Sequence, residues 1–189
     1  MLLAGPMIST LFEYGAFTSK DTYLASFSLV AYSIGIPAFI VIKIFAPAFF
    51  ARQDTKTPVR IGIVALISNM AYNLMLVLPM VWMDFIAPHT GLALATTLSA
   101  LQQSWMLYRA LKQRSLYTID PLVTSLLVKS LPALMVMAVV LLVLRSGDWH
   151  ALDASARVAR LIGIIVSGAS AYAVTLILFG VRPKDFKSP

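Results

Sequence analysis

Long apolar runs alternate with short polar segments along the whole chain. Five of these runs have the length of a transmembrane helix: residues 24–50, 61–83, 88–108, 121–144 and 161–181. An α-helix needs about 20 apolar residues to cross a bilayer core. The runs are continuous rather than alternating, which favours helices over the strands of a membrane barrel. The pattern therefore predicts five complete transmembrane helices.

A shorter apolar segment, residues 1–12, precedes the first span. It is too short to cross a bilayer. It also lacks the basic start that is typical of a signal peptide. We therefore expect it to be the end of a sixth helix, and the chain to be part of a longer protein.

The composition excludes several classes of protein. Of the 189 residues, 59% are hydrophobic and 12% are charged, whereas about 25% of residues are charged in a soluble domain. This excludes a soluble enzyme and a disordered chain. A disulfide scaffold is excluded because the chain has no cysteine. The predicted fold class is an all-α polytopic membrane protein.

Basic residues are distributed unevenly between the two ends of the predicted spans. Nine of them follow spans one, three and five, and four flank the spans at the other end. The nine are Arg52, Lys56, Arg60, Arg109, Lys112, Arg114, Arg182, Lys184 and Lys187. Because cytoplasmic loops carry an excess of Lys and Arg, the 52–60 loop and the C-terminus are predicted to be cytoplasmic. This asymmetry accounts for the net charge of +7 without nucleic-acid binding.

The titratable residues do not form a catalytic or metal-binding pattern. The two histidines, His89 and His150, are 61 positions apart, and all eight acids lie in predicted loops or at helix ends. The chain has no HExxH motif and no paired cysteines, which are typical zinc-binding patterns. We therefore predict no catalytic residue, no metal site and no cofactor.

Polar residues inside the spans are better indicators of function, because at membrane depth they face a cavity or the bundle interior. Asn69 and Asn73 are four positions apart and share a face of span two. Span three is the most polar and contains Thr97. Two interpretations are open for these residues: hydrogen bonds between packed helices, or a path for a solute or ion. Lys43, inside span one, either extends to the interface or faces a cavity.

A charged turn, Arg52-Gln-Asp-Thr-Lys-Thr-Pro58, joins spans one and two. Pro58 suits the first turn of a helix. Asp54 can cap that helix or pair with Arg52 or Lys56. The turn is either a structural gate element that changes partners during a transport cycle, or an ordinary solvated loop.

Several motifs resemble the C-terminal half of the MurJ/MviN lipid II flippases. They are Leu11-Phe-Glu-Tyr-Gly-Ala-Phe17, Ala31-Tyr-Ser-Ile-Gly-Ile-Pro37, Lys43-Ile-Phe-Ala-Pro47 and Phe50-Ala-Arg-Gln-Asp-Thr-Lys-Thr-Pro-Val59. Asn73 and Gly91-Leu-Ala-Leu-Ala-Thr-Thr97 continue the pattern. The resemblance is specific over residues 8–115, and beyond them it rests on two hydrophobic spans.

The resemblance implies part of a fourteen-helix exporter fold with three sections in this chain. Residues 1–20 would be the end of helix nine and a periplasmic loop. Residues 21–115 would be three helices of the C-terminal lobe. Residues 116–189 would be two additional helices and a cytoplasmic tail. The family's main substrate-binding arginines lie outside this part.

The resemblance also implies a function: translocation of lipid II for peptidoglycan synthesis across the bacterial inner membrane by alternating access. Lipid II, the membrane lipids and the N-terminal lobe would be the partners. Lys43, Asn69, Asn73 and Thr97 would be the candidate cavity residues. The resemblance places these flippases in the multidrug/oligosaccharidyl-lipid/polysaccharide exporter superfamily. Two alternatives are therefore another exporter of that superfamily, moving polysaccharide-lipid precursors or, coupled to an ion, drugs, and a non-transporting membrane scaffold.

The charge asymmetry predicts the orientation of the turns. A Lys56→Cys variant should resist a membrane-impermeant maleimide added from outside, whereas an Asp84→Cys variant should react. The labelling is unambiguous because the chain has no native cysteine. Reaction of the Lys56→Cys variant from outside intact cells would contradict the orientation.

Overall fold

The computed structural model describes residues 1–85, 87–114, 121–147, 149 and 152–181. Within these ranges the chain forms helices and no strand. The helices are α1 (Ala4–Phe12), α2 (Ser19–Phe50), α3 (Lys56–Trp82), α4 (His89–Gln113), α5 (Pro121–Leu144) and α6 (Ala154–Leu178). The all-helical prediction is confirmed.

The five long helices overlap the five predicted spans, and four of them are candidates to cross a membrane within the described residues. Helices α2, α3 and α6, and the part of α5 from Val123, are long and apolar enough to cross a membrane. Helix α4 has sufficient length at 25 residues but is the least apolar of the five. Helix α1 has nine residues, which is too short to cross.

The chain divides into two compact units. The first contains α2, α3 and α4, and the second contains α1, α5 and α6. In the second unit α1 packs against α6, a partnership between distant parts of the chain that the hydrophobic pattern does not indicate.

The first unit depends on a close approach of α2 to α4. Thr97 of α4 is buried, and its hydroxyl donates a hydrogen bond to the carbonyl oxygen of Ala31 at 2.8 Å. One turn further along α2, a Cβ atom at Gly35 would lie 2.9 Å from the Thr97 hydroxyl oxygen. Only glycine leaves room for this contact, which resembles the small-residue packing of membrane helices.

Towards the ends of α2 and α4, larger side chains replace the small ones. A cluster of buried apolar residues connects the three helices of this unit: Phe45, Phe49, Ile61, Leu107 and Leu111. Phe49, Leu107 and Leu111 are almost completely inaccessible. This cluster supports the turn between α2 and α3.

The second unit packs α5 against α6 and anchors α1 by arginine contacts. A Cβ atom at Gly168 would lie 2.7 Å from a methyl carbon of Leu141, so these helices also meet closely. Arg157 is buried, and its guanidinium lies 4.0 Å from the carboxylate of Glu13, at the end of α1. Arg145 donates to the carbonyl oxygen of Leu2.

The close approach of α2 to α4 predicts that Gly35→Ala destabilises the chain. Alanine would gain about 0.5–1 kcal/mol of helix propensity, but its Cβ would displace Thr97 at a typical cost of about 1–3 kcal/mol. We expect unfolding at a lower SDS fraction in mixed micelles, followed by circular dichroism. Gly163→Ala is the matched control, because a Cβ there meets nothing within 4 Å; equal transitions for the two variants would contradict the prediction.

Candidate functional site

Polar side chains of α3 and α4 meet along the interface of these helices. The Tyr72 hydroxyl donates to Oε1 of Gln102 at 2.7 Å, and Nε2 of Gln102 donates to the Ser68 hydroxyl at 2.9 Å. Nearer the start of α3, the Ser99 hydroxyl donates to the carbonyl oxygen of Ala65 at 2.8 Å. Gln102 and Ser99 of span three thus form hydrogen bonds between packed helices, as the packing interpretation expects. Tyr72 was missed from the sequence, although its four-residue spacing from Ser68 places both on one face.

Asn69 and Asn73 lie one turn apart on α3. Nδ2 of Asn73 donates to Oδ1 of Asn69 at 3.1 Å. Oδ1 of Asn73 is buried, and no atom of the described residues donates to it. An unsatisfied buried acceptor costs about 1–3 kcal/mol. A further donor could reach this oxygen only if the residues that cover it moved.

Beside Asn69 is a cleft of about 270 Å³, which we call the Asn69 cleft. Four of the residues that line it are polar: Asn69, Thr96, Ser99 and Gln103. Gly62, Ala65 and Ala100 also line it, and their small side chains leave this space between the helices. The cleft offers amide and hydroxyl groups but no charge.

The other two candidate cavity residues lie elsewhere in the first unit. Thr97 is buried against α2 by its bond to Ala31, and Lys43 is exposed on α2, seven residues before Phe50. Neither lines the Asn69 cleft. The structure thus brings Asn69 and Asn73 together and leaves Lys43 and Thr97 apart from them.

The charged turn is organised by Asp54. Its carboxylate accepts hydrogen bonds from the backbone N–H of Thr57 at 3.1 Å and from the Thr57 hydroxyl at 2.7 Å, so it caps the start of α3. Pro58 is buried in the first turn of α3, as the sequence predicts.

Arg114, which follows α4, connects the two helices. It donates to the same carboxylate of Asp54, and its Nη2 donates to the Thr57 hydroxyl at 2.9 Å. The ion-pair partner of Asp54 is therefore Arg114 rather than Arg52 or Lys56. The two residues are 60 positions apart, so no local pattern indicates the pairing. We call this contact the Asp54–Arg114 tie.

The hydrogen bonds from Thr57 and, to a smaller extent, the contact with Arg114 together lower the pKa of Asp54 from its ordinary value of 3.8 to about 2. The carboxylate is therefore ionised at neutral pH. Among the described residues, there is no group of three or more side chains that could hold a metal ion.

Comparisons with known proteins point to one family. The family model described as lipid II flippase MurJ matches residues 1–160. The probable lipid II flippase MurJ of Haemophilus influenzae is 42% identical over 183 residues, covering 96% of this chain and 34% of that protein. The corresponding protein of Vibrio cholerae is 38% identical over 190 residues, covering 100% and 35%. This chain spans about a third of the length of these curated relatives.

A third relative, the lipid II flippase MurJ of Burkholderia cenocepacia, is 37% identical over 118 residues. That match covers 62% of this chain and 22% of the relative.

The contacts of Asp54 predict how its carboxyl group titrates. Because its folded pKa lies below the ordinary value, ionised Asp54 stabilises the turn above about pH 4, and this contribution is lost as the pH falls toward about 2. Thr57→Val should raise the pKa of Asp54 more than Arg114→Gln, because the hydroxyl of Thr57 is the largest cause of the shift. Carbon-13 NMR of the carboxyl group in micelles measures this; a larger shift in Arg114→Gln would contradict the order.

Proposed function

The chain belongs to the lipid II flippase MurJ family, and we propose on this basis that it forms the C-terminal part of a lipid II flippase. The observation that carries the proposal is the family match over residues 1–160. Long apolar helices, as expected of a multi-pass membrane protein, support it. The protein would move the lipid-linked peptidoglycan precursor across the bacterial inner membrane as a transporter, without covalent chemistry.

The proposed mechanism is alternating access. The polar head group of lipid II would pass through a water-filled cavity between this part and the N-terminal lobe, while its lipid tail stays in hydrocarbon. Hydrogen-bonding groups at membrane depth are tolerated where they are paired or line such a cavity. The hydrogen-bonded interface of α3 and α4 meets this condition.

We assign the candidate cavity residues separate roles within this proposal. Asn69 and Asn73 would offer amide groups to the head group, provided that helix movement exposes the unpaired Oδ1 of Asn73. Thr97 would act indirectly by holding α4 against α2. Lys43 would contribute positive potential toward an anionic substrate.

For the orientation, we propose that the turn at residues 52–58 and the C-terminus face the cytoplasm. The support is the asymmetry of nine basic residues against four. Three of the nine lie in residues 182–189, which are outside the described residues.

We propose that the turn containing Arg52, Asp54, Lys56 and Pro58 is a gate element. The Asp54–Arg114 tie is partly exposed, with 47% of the arginine side chain accessible. An accessible ion pair is weak because water and salt screen it, so it can break and re-form during a transport cycle. Pro58 and the cap from Asp54 would keep the start of α3 intact while the Asp54–Arg114 tie breaks and re-forms.

Transport and gating are tested together in a strain depleted of its own lipid II flippase. The protein at its natural length should restore growth. Asp54→Asn, which keeps a capping side chain but removes the charge, should reduce lipid II translocation severalfold. Asp84→Asn is the matched control, because Asp84 is exposed in another turn and its φ of 46° suits asparagine.

The outcomes separate the two proposals. Failure of the parent protein to restore growth at normal abundance would contradict the flippase function and favour another exporter or a scaffold. If the parent restores growth and both asparagine variants match it, the turn is an ordinary loop.

The role of Lys43 is tested by its charge. Lys43 lies seven residues before the end of α2, about 10 Å along the helix. A lysine at the centre of a membrane helix costs about 2.5–3.5 kcal/mol on insertion scales unless it reaches water or a partner. If it faces the cavity, Lys43→Arg should retain more translocation than Lys43→Met at equal abundance. Lys129→Met, which removes a lysine from α5, is the control and should leave translocation unchanged. If Lys43→Met retains the activity of the parent protein, the cavity role is contradicted. The Lys43 side chain would then be interpreted as extending to the membrane interface.

A further inference from the structure

A second cleft lies at the start of α3 and has a different chemistry from the Asn69 cleft. Its volume is about 340 Å³. Its lining residues are Asp54, Lys56, Thr57, Arg60, Ile61 and Arg114. We call it the turn cleft. Three of these side chains are basic and one is acidic, so the cleft carries a net charge of +2 at neutral pH.

The single acid in the turn cleft is already engaged. Asp54 accepts bonds from Thr57 and from Arg114, so its charge offsets that of Arg114. Lys56 and Arg60 are four positions apart on α3, which places them on the same face. In the part of the chain that the structure describes, neither has a carboxylate partner.

The helix itself adds to this positive charge. The start of an α-helix carries a partial positive charge and favours acidic residues in its first turn. The first turn of α3 contains no acid and begins with Lys56. Asp54, just before this turn, accepts from one of its N–H groups and offsets part of the helix charge. No carboxylate of the described residues offsets Lys56 and Arg60, so an anion would stabilise this arrangement.

We propose that the turn cleft binds a phosphate group. Lys56 and Arg60 would neutralise its charge, and the start of α3 would add the attraction that helix N-termini exert on phosphates. Thr57, Ile61 and Arg114 would form the rest of the cleft lining. Because a turn between two membrane helices lies at the membrane surface, the phosphate group is that of a phospholipid head group or of a soluble phosphate.

This inference does not depend on the proposed transport function, because the ligand is measured by binding. The probes are phosphatidylglycerol, phosphatidylcholine and inorganic phosphate. The protein at its natural length is titrated with each lipid in detergent, and bound lipids are counted by native mass spectrometry. Inorganic phosphate is then added as a competitor.

The test variant is Lys56→Gln/Arg60→Gln, and the matched control is Arg109→Gln/Lys112→Gln. The control removes the same charge from exposed residues near the end of α4 that do not line the turn cleft. We expect the test variant to weaken the tightest phosphatidylglycerol binding about tenfold or more, and the control to change it less than twofold. Lys56→Arg/Arg60→Lys should restore the binding.

The arms of the experiment identify the source of the phosphate group. Loss of phosphatidylglycerol binding in the test variant alone, unaffected by inorganic phosphate, assigns the cleft to a lipid head group. If inorganic phosphate competes with the lipid in the parent protein but not in the test variant, the cleft is assigned to a soluble phosphate. Equal effects of the two double variants on every probe would overturn the proposal, because general surface charge would then account for the binding.

Discussion

A polar group at membrane depth cannot rely on water for a hydrogen bond, and this constraint explains how α2, α3 and α4 are arranged. Helix α4 is the most polar of the long helices, and three of its polar side chains bond to its neighbours. Thr97 bonds to α2, whereas Ser99 and Gln102 bond to α3. Helix α4 therefore holds the first unit together through the residues that make it the least apolar.

The same constraint links packing to function. Groups that are fully bonded within the protein, such as Gln102, stabilise one arrangement of helices. The Asn73 oxygen differs, because the described residues leave it without a donor while the adjacent amide of Asn69 is engaged. Under the proposed transport function, helix movement would have to expose this buried oxygen before a polar solute could reach it.

How much of this structure the sequence predicts depends on how far apart along the chain the interacting residues are. Apolar runs of sufficient length predict the long helices, and the positions of Pro58 and Asp54 predict the start of α3. Contacts between distant residues have no local signature: Arg114 reaches Asp54 across 60 positions, and α1 packs on α6. The four-residue spacing of Asn69 and Asn73 predicts their contact. No spacing in the sequence indicates that Thr97 forms a hydrogen bond to α2.

The low pKa of Asp54 restricts how energy could enter the turn at residues 52–58. With a pKa of about 2, only about one molecule in 10⁵ has a protonated Asp54 at pH 7, and a shift of one pH unit leaves that fraction negligible. Acidification near neutral pH is therefore an inefficient way to neutralise Asp54 and break the Asp54–Arg114 tie. Within the gate proposal, helix movement or an anion that competes for Arg114 would open the tie without protonation.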